Sequence, residues 1–162
     1  MSGQPQRRPL RVAVGADEAG LALKDALADL LRGDARVAAV RDFGVHEPDD
    51  RTAYPNIGLL AAQAVADGQA DRALLVCGTG IGMAITANKV AGVRATVAHD
   101  AYSVERSVLS NNCQVLALGA RVVGTELAKR LVREWLDLEF DDSSASARKV
   151  EVISRYESGR RA

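Results

Sequence analysis

ALLVCGTGIGMAITANK, residues 73–89, decides how this chain is read. Ala73–Val76 is an apolar run that closes on Cys77, with glycines following at 78, 80 and 82. MAITANKV then starts a short helix. A compact apolar run, a glycine turn and a helical stretch spell strand, loop, helix. The loop itself has two readings. Cys77 is core filler above a tight turn, or the loop is an anion cradle with a thiol at its lip. The pattern alone leaves both open.

The same alternation runs outward in both directions. Leu10–Val14 (LRVAV) is a strand closing on GADEAG, and ALKDALADLL follows at helical period with Asp, Lys and Asp on its outer face. Val37–Arg41 is a second strand, FGVHEPDDRTAYPN is loop rich in Pro and Asp, and IGLLAAQAVADG is a helix ending at a glycine. After the central block, Val93–Ala98 is the fourth strand and SVERSVLSNN a helix. Val115–Leu118 is the fifth strand, and TELAKRLVREWL is the most regular amphipathic helix in the chain. ARKVEVISRYE is helical again, with Val150 and Ile153 on a narrow apolar edge.

Strands and helices in strict alternation with short connections predict an α/β fold: a Rossmann-like three-layer sandwich on a five-stranded parallel sheet, with right-handed crossovers. The expected layout is a disordered tail over 1–9, one α/β domain over 10–140 and a C-terminal extension over 141–162, helical and contacting a partner subunit. Ligands of such folds bind beyond the carboxyl ends of the strands. That rule singles out GADEAG, CGTGIGM, HDAYS and GARVVG.

Composition removes several function classes. Lys plus Arg equals Asp plus Glu at 21 each, so no global field collects nucleic acid or an anionic membrane surface. No apolar run approaches the roughly 20 residues of a membrane span, and MSGQPQRRPL has no apolar stretch of a secretory signal. Cys77 and Cys113 offer neither a disulfide framework nor zinc spacing, and His46 and His99 stand apart. The expectation is a cytoplasmic protein without metal or other cofactor.

CGTGIG lacks a Walker lysine and spaces its glycines G-x-G-x-G, so the motif supports no nucleotide site. Alternate glycines still let backbone N–H groups converge on negative charge. A thiol at the last strand position beside such a hole suits enolisation, in which one group removes a proton α to a carbonyl while the hole holds the enediolate oxygen.

Over Val12 to about Ile153 the sequence resembles the ribose-5-phosphate isomerase B / galactose-6-phosphate isomerase (RpiB/LacAB) family. The resemblance is carried by DEAGLALK at 17–24, YP at 54–55, LLVCGTGIGMAITANKVAGVRA at 74–95, HDAYS at 99–103, SNN at 110–112, LGARVVG at 118–124 and RKVE at 148–151. It implies aldose–ketose isomerisation of a small sugar phosphate without cofactor, in homodimers or dimers of dimers whose active sites are shared between subunits. Carried over by position, Cys77 is the base moving a proton between C1 and C2, in a family where other members use a glutamate at the place of Met83. Thr79 shuttles the hydroxyl proton, and Gly78, Gly80, Ile81 and Gly82 donate backbone N–H groups to the enediolate. Asp17, Tyr54 and Asn111 match substrate-hydroxyl positions, Arg121 a phosphate-binding arginine, and Arg148 or Lys149 approaches the same phosphate, across the dimer. Taken singly, Asp17 reads as a turn or cap, Asn111 as a helix closer and each Arg or Lys as solvated charge. His99 is read as a strand-end or pocket-lining residue.

Three departures bear on the substrate. A family histidine that opens the furanose ring is replaced by Ser110, the usual Asp-His after the first strand is Asp17-Glu18, and a C-terminal Gly-Gly-Arg-His aligns with Ser143–Ser146. Ribose 5-phosphate cyclises through a free O4. A tetrose 4-phosphate has O4 blocked, so its isomerase needs no ring-opening group. The expectation is therefore a D-erythrulose 4-phosphate/D-erythrose 4-phosphate isomerase, with ribose 5-phosphate next and a hexose 6-phosphate isomerase or a non-catalytic sugar-phosphate-binding subunit after it. Glu18 sits awkwardly beside any phosphate dianion.

Overall fold

The computed structural model describes residues 7–159. Residues 1–6 of the expected N-terminal tail and 160–162 of the C-terminal segment lie outside the described residues. Five strands, β1 (Leu10–Ala16), β2 (Val37–Asp42), β3 (Arg72–Cys77), β4 (Ala95–Val97) and β5 (Val115–Gly119), form one sheet in the order β2-β1-β3-β5-β4. Every pairing is parallel. The helices are α1 (Leu21–Arg32), α2 (Tyr54–Ala66), α3 (Ile81–Ala87), α4 (Ala101–Leu109), α5 (Thr125–Asp137) and α6 (Ala145–Glu157).

Period two in the strands sorts the core into two layers. Val12, Val14, Leu74, Val76, Leu116 and Leu118 face α1, α4 and α5. Ala13, Leu75, Cys77, Val115 and Ala117 face α2 and α3. α5 presents Ala128, Leu131, Val132, Trp135 and Leu136 to the first layer at helical spacing. From β1 the chain steps outward to β2, then returns to β3 on the other side of β1. The sheet therefore has its topological switch point between β1 and β3, where a crevice opens beyond the strands' carboxyl ends.

The structure corrects several local expectations. α2 begins at Tyr54, inside the expected loop, because Pro55 falls in its first turn, where a missing N–H costs nothing. α4 runs from Ala101 to Leu109 rather than 103–112; Asp100 caps it by accepting the Ser103 N–H at 2.7 Å, and Asn112 turns the chain away with φ of 48°. Lys24, expected on the outer face of α1, is 1 % exposed. Its Nζ donates to Asp42 Oδ2 at 2.7 Å and to the Val45 carbonyl at 3.1 Å, and lies 3.0 Å from Asp25 Oδ1. An ammonium persists in an interior only with such partners. This one ties α1 to the end of β2 and the segment after it, where the Phe43 and Val45 N–H groups donate to the Val14 and Ala16 carbonyls.

Candidate active site

The segment after β3 is built around close approaches that only glycine permits. Gly80 has φ of +79°, and a Cβ there would lie 3.0 Å from the Leu118 backbone. A Cβ on Gly119 would stand 2.6 Å from Thr79 Cα, so the end of β5 forms the floor of the loop. The Ala120 and Arg121 N–H groups donate to the Cys77 and Gly78 carbonyls at 2.8 and 3.0 Å and fix the loop to β5.

On that floor the Cys77 sulfur is nearly buried, at 5 % exposure, and accepts the Gly80 N–H at 3.1 Å. The Thr79 hydroxyl is exposed and accepts the Ile81 N–H at 3.3 Å. Ile81, Gly82 and Met83 open α3, so their N–H groups have no carbonyl partner inside the helix. Met83 is fully buried with its sulfur beside Gly58 of α2, a core position.

Two further side chains lie against the loop, and the charge of one of them, Arg121, reaches Asp17. The Tyr54 ring lies across Gly82, where a Cβ would be 2.5 Å from Cε2. The Arg121 guanidinium lies against Gly78, 3.2 Å from where its Cβ would be. Asp17, at the carboxyl end of β1, accepts the Gly20 N–H at 3.1 Å. Burial raises its carboxyl above the ordinary value, while bonds from Gly20 and Ala19 and the charge of Arg121 pull the other way. Glu18 turns toward Arg51 in the β2–α2 connection, with Oε1 and Nη1 4.0 Å apart. A countercharge for Glu18 thus exists within the chain.

His99 lies beneath the site rather than in it. Its Nε2 accepts the Gly119 N–H at 2.8 Å, which requires the neutral ring with the proton on Nδ1. Burial holds it below the ordinary histidine value, against an opposing push from Asp100. Among the described residues, no three His, Cys, Asp or Glu side chains come together as a metal site.

The Ribose/Galactose Isomerase family pattern matches residues 12–153 of this chain. The chain belongs to that family. A D-erythrulose-4-phosphate isomerase 2 of Mycolicibacterium smegmatis is 61 % identical over 148 residues, spanning 91 % of this chain and 97 % of the relative. A D-erythrulose-4-phosphate isomerase of Pectobacterium atrosepticum is 47 % identical over 91 % of this chain and 95 % of its own. Among solved structures, ribose-5-phosphate isomerase B of Clostridium thermocellum superposes with a TM-score of 0.86 at 40 % identity, covering 93 % of this chain and 99 % of that one.

In this member of the Ribose/Galactose Isomerase family, one chain does not gather all the expected site residues. Asp17, Tyr54, Cys77, Gly78, Thr79, Gly80, Ile81, Gly82 and Arg121 meet at the carboxyl edge of the sheet. α4 starts at that edge but ends at the other, leaving Ser110 and Asn111 near the amino ends of β4 and β5. There the Asn111 amide donates to the Arg106 carbonyl at 3.1 Å, closing the helix, and Ser110 Oγ accepts from Arg106 Nη1 at 3.3 Å. Arg148 and Lys149 are exposed on α6. That helix is tied to the same edge through Glu157, which accepts the Gly92 N–H at 2.8 Å. Arg51 and Arg106 escaped the sequence reading. The i, i+4 spacing of Arg106 and Ser110 on α4 was the available signal for the second.

Proposed function

We propose that this chain is an aldose–ketose isomerase interconverting D-erythrulose 4-phosphate and D-erythrose 4-phosphate through a cis-enediolate. The carrying observation is Cys77 Sγ, held by the Gly80 N–H at 3.1 Å inside a cradle of backbone donors. Substrate choice is supported by the M. smegmatis relative at 61 % identity. It is also supported by Ser110, a side chain without the acid–base capacity that opening a furanose ring demands.

In the ketose-to-aldose direction the Cys77 thiolate takes a proton from C1. The C1–H electron pair becomes the C1–C2 double bond, and the carbonyl electrons move onto O2. With the Gly80 and Ile81 N–H groups bonded to Cys77 Sγ and Thr79 Oγ1, the loop N–H groups left over, that of Gly82 in the first turn of α3 among them, hold that charge. Thr79 passes the O1 proton to O2, C1 becomes the aldehyde carbon, and the proton on sulfur returns to C2. Asp17 and Tyr54 hold substrate hydroxyls, and Arg121 holds the phosphate.

Asn111, Ser110, Arg148 and Lys149 reach a site only on another chain, so the proposal includes a homodimer or dimer of dimers, working in the cytoplasm. Purified protein assayed on erythrulose 4-phosphate, ribose 5-phosphate and allose 6-phosphate should give its highest kcat/KM on the tetrose. A large preference for ribose 5-phosphate would overturn the tetrose assignment and favour the second reading, a ribose-5-phosphate isomerase, for which the C. thermocellum structure speaks. Turnover unchanged by a chelator is the expected result for a proton carried by sulfur.

A further inference from the structure

β4 is three residues long, and its pairing with β5 ends where Val97 meets Ala117. Two residues on, Gly119 is still in the sheet, paired with Cys77 on the β3 side. The N–H groups of successive strand residues point to opposite neighbours. The Ala120 N–H goes to the Cys77 carbonyl on β3, so the Gly119 N–H points the other way, where β4 has already ended. The His99 ring stands in that place, and its Nε2 accepts the bond at 2.8 Å. A side chain has taken over a rung of the ladder from a backbone carbonyl.

That rung bears on the Cys77 loop because the two backbones touch. A Cβ on Gly119 would stand 2.6 Å from Thr79 Cα and 2.8 Å from its carbonyl oxygen. Gly80 meets the Leu118 and Ala117 backbone in the same way, at 3.0 and 3.1 Å from the place of its Cβ. With the Arg121 N–H on the Gly78 carbonyl at 3.0 Å, each residue from Cys77 to Gly80 leans on the end of β5. The opposite side of that strand end is held by the His99 imidazole.

Only the neutral ring can hold it. A protonated imidazole carries N–H on both nitrogens and accepts nothing. Protonation would set one N–H against another and leave the buried Gly119 donor unanswered. Burial of the ring disfavours the proton, and Asp100 at the start of α4 favours it. The Asp100 carboxylate is itself engaged by the Ser103 N–H at 2.7 Å. On the far side of Gly119, β3 brings Cys77, and the segment after β5 brings Arg121, whose guanidinium lies on Gly78.

We infer that His99 is a positioning residue for the isomerisation: by accepting the Gly119 N–H it fixes the end of β5 as a floor, and through that floor it sets where the Cys77 sulfur and the Thr79 hydroxyl stand. It needs no contact with substrate. The role rests on the sugar-phosphate isomerase reading above.

His99→Leu removes the acceptor. In the full-length protein it should lower kcat for erythrulose 4-phosphate by about 10- to 100-fold, the scale of a misplaced reacting group. KM should stay within about twofold, since the loss falls on the chemical step. His99→Gln offers an amide oxygen in place of Nε2 and should recover most of kcat at about pH 8. The pH profile separates positioning from mere packing. The need for a Cys77 thiolate gives every variant one acid limb, whereas wild type gains a second when His99 protonates. The ratio of kcat in His99→Gln to kcat in wild type should therefore climb as pH falls through the lowered histidine value, by about tenfold per pH unit beyond it. Full kcat in His99→Leu, no rescue by His99→Gln, or superimposable pH profiles would each overturn the role.

Nitrogen-15 NMR of the wild-type protein asks the same question without a variant or a substrate. His46 and His99 are the two histidines of the chain, so their rings are readily told apart. His99 should show the Nδ1–H tautomer at about pH 8, and the Gly119, Thr79 and Gly80 amides should shift with its titration midpoint. Thr79 and Gly80 amides that stay still while the ring titrates would overturn the role. If the protein turns over no sugar phosphate, the isomerase reading falls by itself, and the NMR titration still decides whether His99 holds the loop.

Discussion

The two edges of the sheet use their charged residues differently. At the amino edge most are bound to one another. Asp71 accepts from Arg8 Nη2 at 2.7 Å, Arg11 Nη2 at 2.9 Å and the Arg11 backbone N–H at 2.8 Å. Arg36 bridges Asp34 and Asp137, and buried Arg72 donates to the Trp135 and Leu138 carbonyls with its guanidinium over the Trp135 ring. At the carboxyl edge, Arg121 and Tyr54 lie against Gly78 and Gly82 of the Cys77 loop. Saturated polar groups make structure, and groups left with free valence around a cavity make chemistry. Both edges have exceptions: Lys24 is a saturated brace and Glu18 faces Arg51 at the carboxyl edge, and the Arg106 Nε is without a partner at the amino edge.

The contrast can be broken at its strongest point by Cys77→Ser. Turnover should fall by about 10³-fold, the scale of a lost proton-transfer group, while the melting temperature stays close to wild type; steady-state kinetics with a thermal melt reads both. Turnover near the wild-type rate would remove the thiol from the mechanism. Lys24→Met tests the brace. It strands Asp42 partly buried and should cost about 3–5 kcal/mol in denaturant unfolding, whereas Lys24→Met with Asp42→Leu should recover most of that. A double variant as unstable as the single one would show that Asp42 has a further task at this edge.

Asp71→Ala belongs to the other edge and should cost about 1–3 kcal/mol by leaving the Arg11 N–H unanswered, with kcat/KM unchanged well below the melting temperature. A catalytic defect there would erase the division between the edges. The smallest effect concerns His99. Because its folded value is lowered, the unfolded chain takes up the proton first, so stability is complete above about pH 6.5 and is lost as pH falls through the lowered value. His99→Gln keeps an acceptor for the Gly119 N–H but cannot protonate. It should show a smaller fall in melting temperature than wild type between about pH 7 and 5. Equal slopes would mean that the Gly119 bond survives protonation.

How much of this is legible in the residues follows from the range of each interaction. The strands are legible because runs such as LLVC are short, apolar and closed by a glycine, which together favour a buried strand over a helix. Their order is not, since nothing local says that β5 lies between β3 and β4. Lys24 beside Asp25 looks like a solvated pair; its main partner is 18 residues away on β2. Pro55 was misread because proline marks loops and helix first turns alike. The thiol and glycines are one contiguous block and could be read together. The separation of Ser110 and Asn111 from that block depends on which way α4 runs, which only the assembled sheet decides.

The place of β5 also orders events during synthesis. β4 pairs only with β5, and β3 has β5 on the side away from β1. While the ribosome has released the chain only to about residue 110, β1, β2 and β3 can pair, but β4 has no neighbour. The Cys77 loop then lacks its floor at Gly119 and the Ala120 N–H that pins the Cys77 carbonyl. Completing the sheet and assembling the Cys77 loop are one step, taken late, so a nascent or truncated chain exposes an open sheet edge before the proposed enediolate cradle exists.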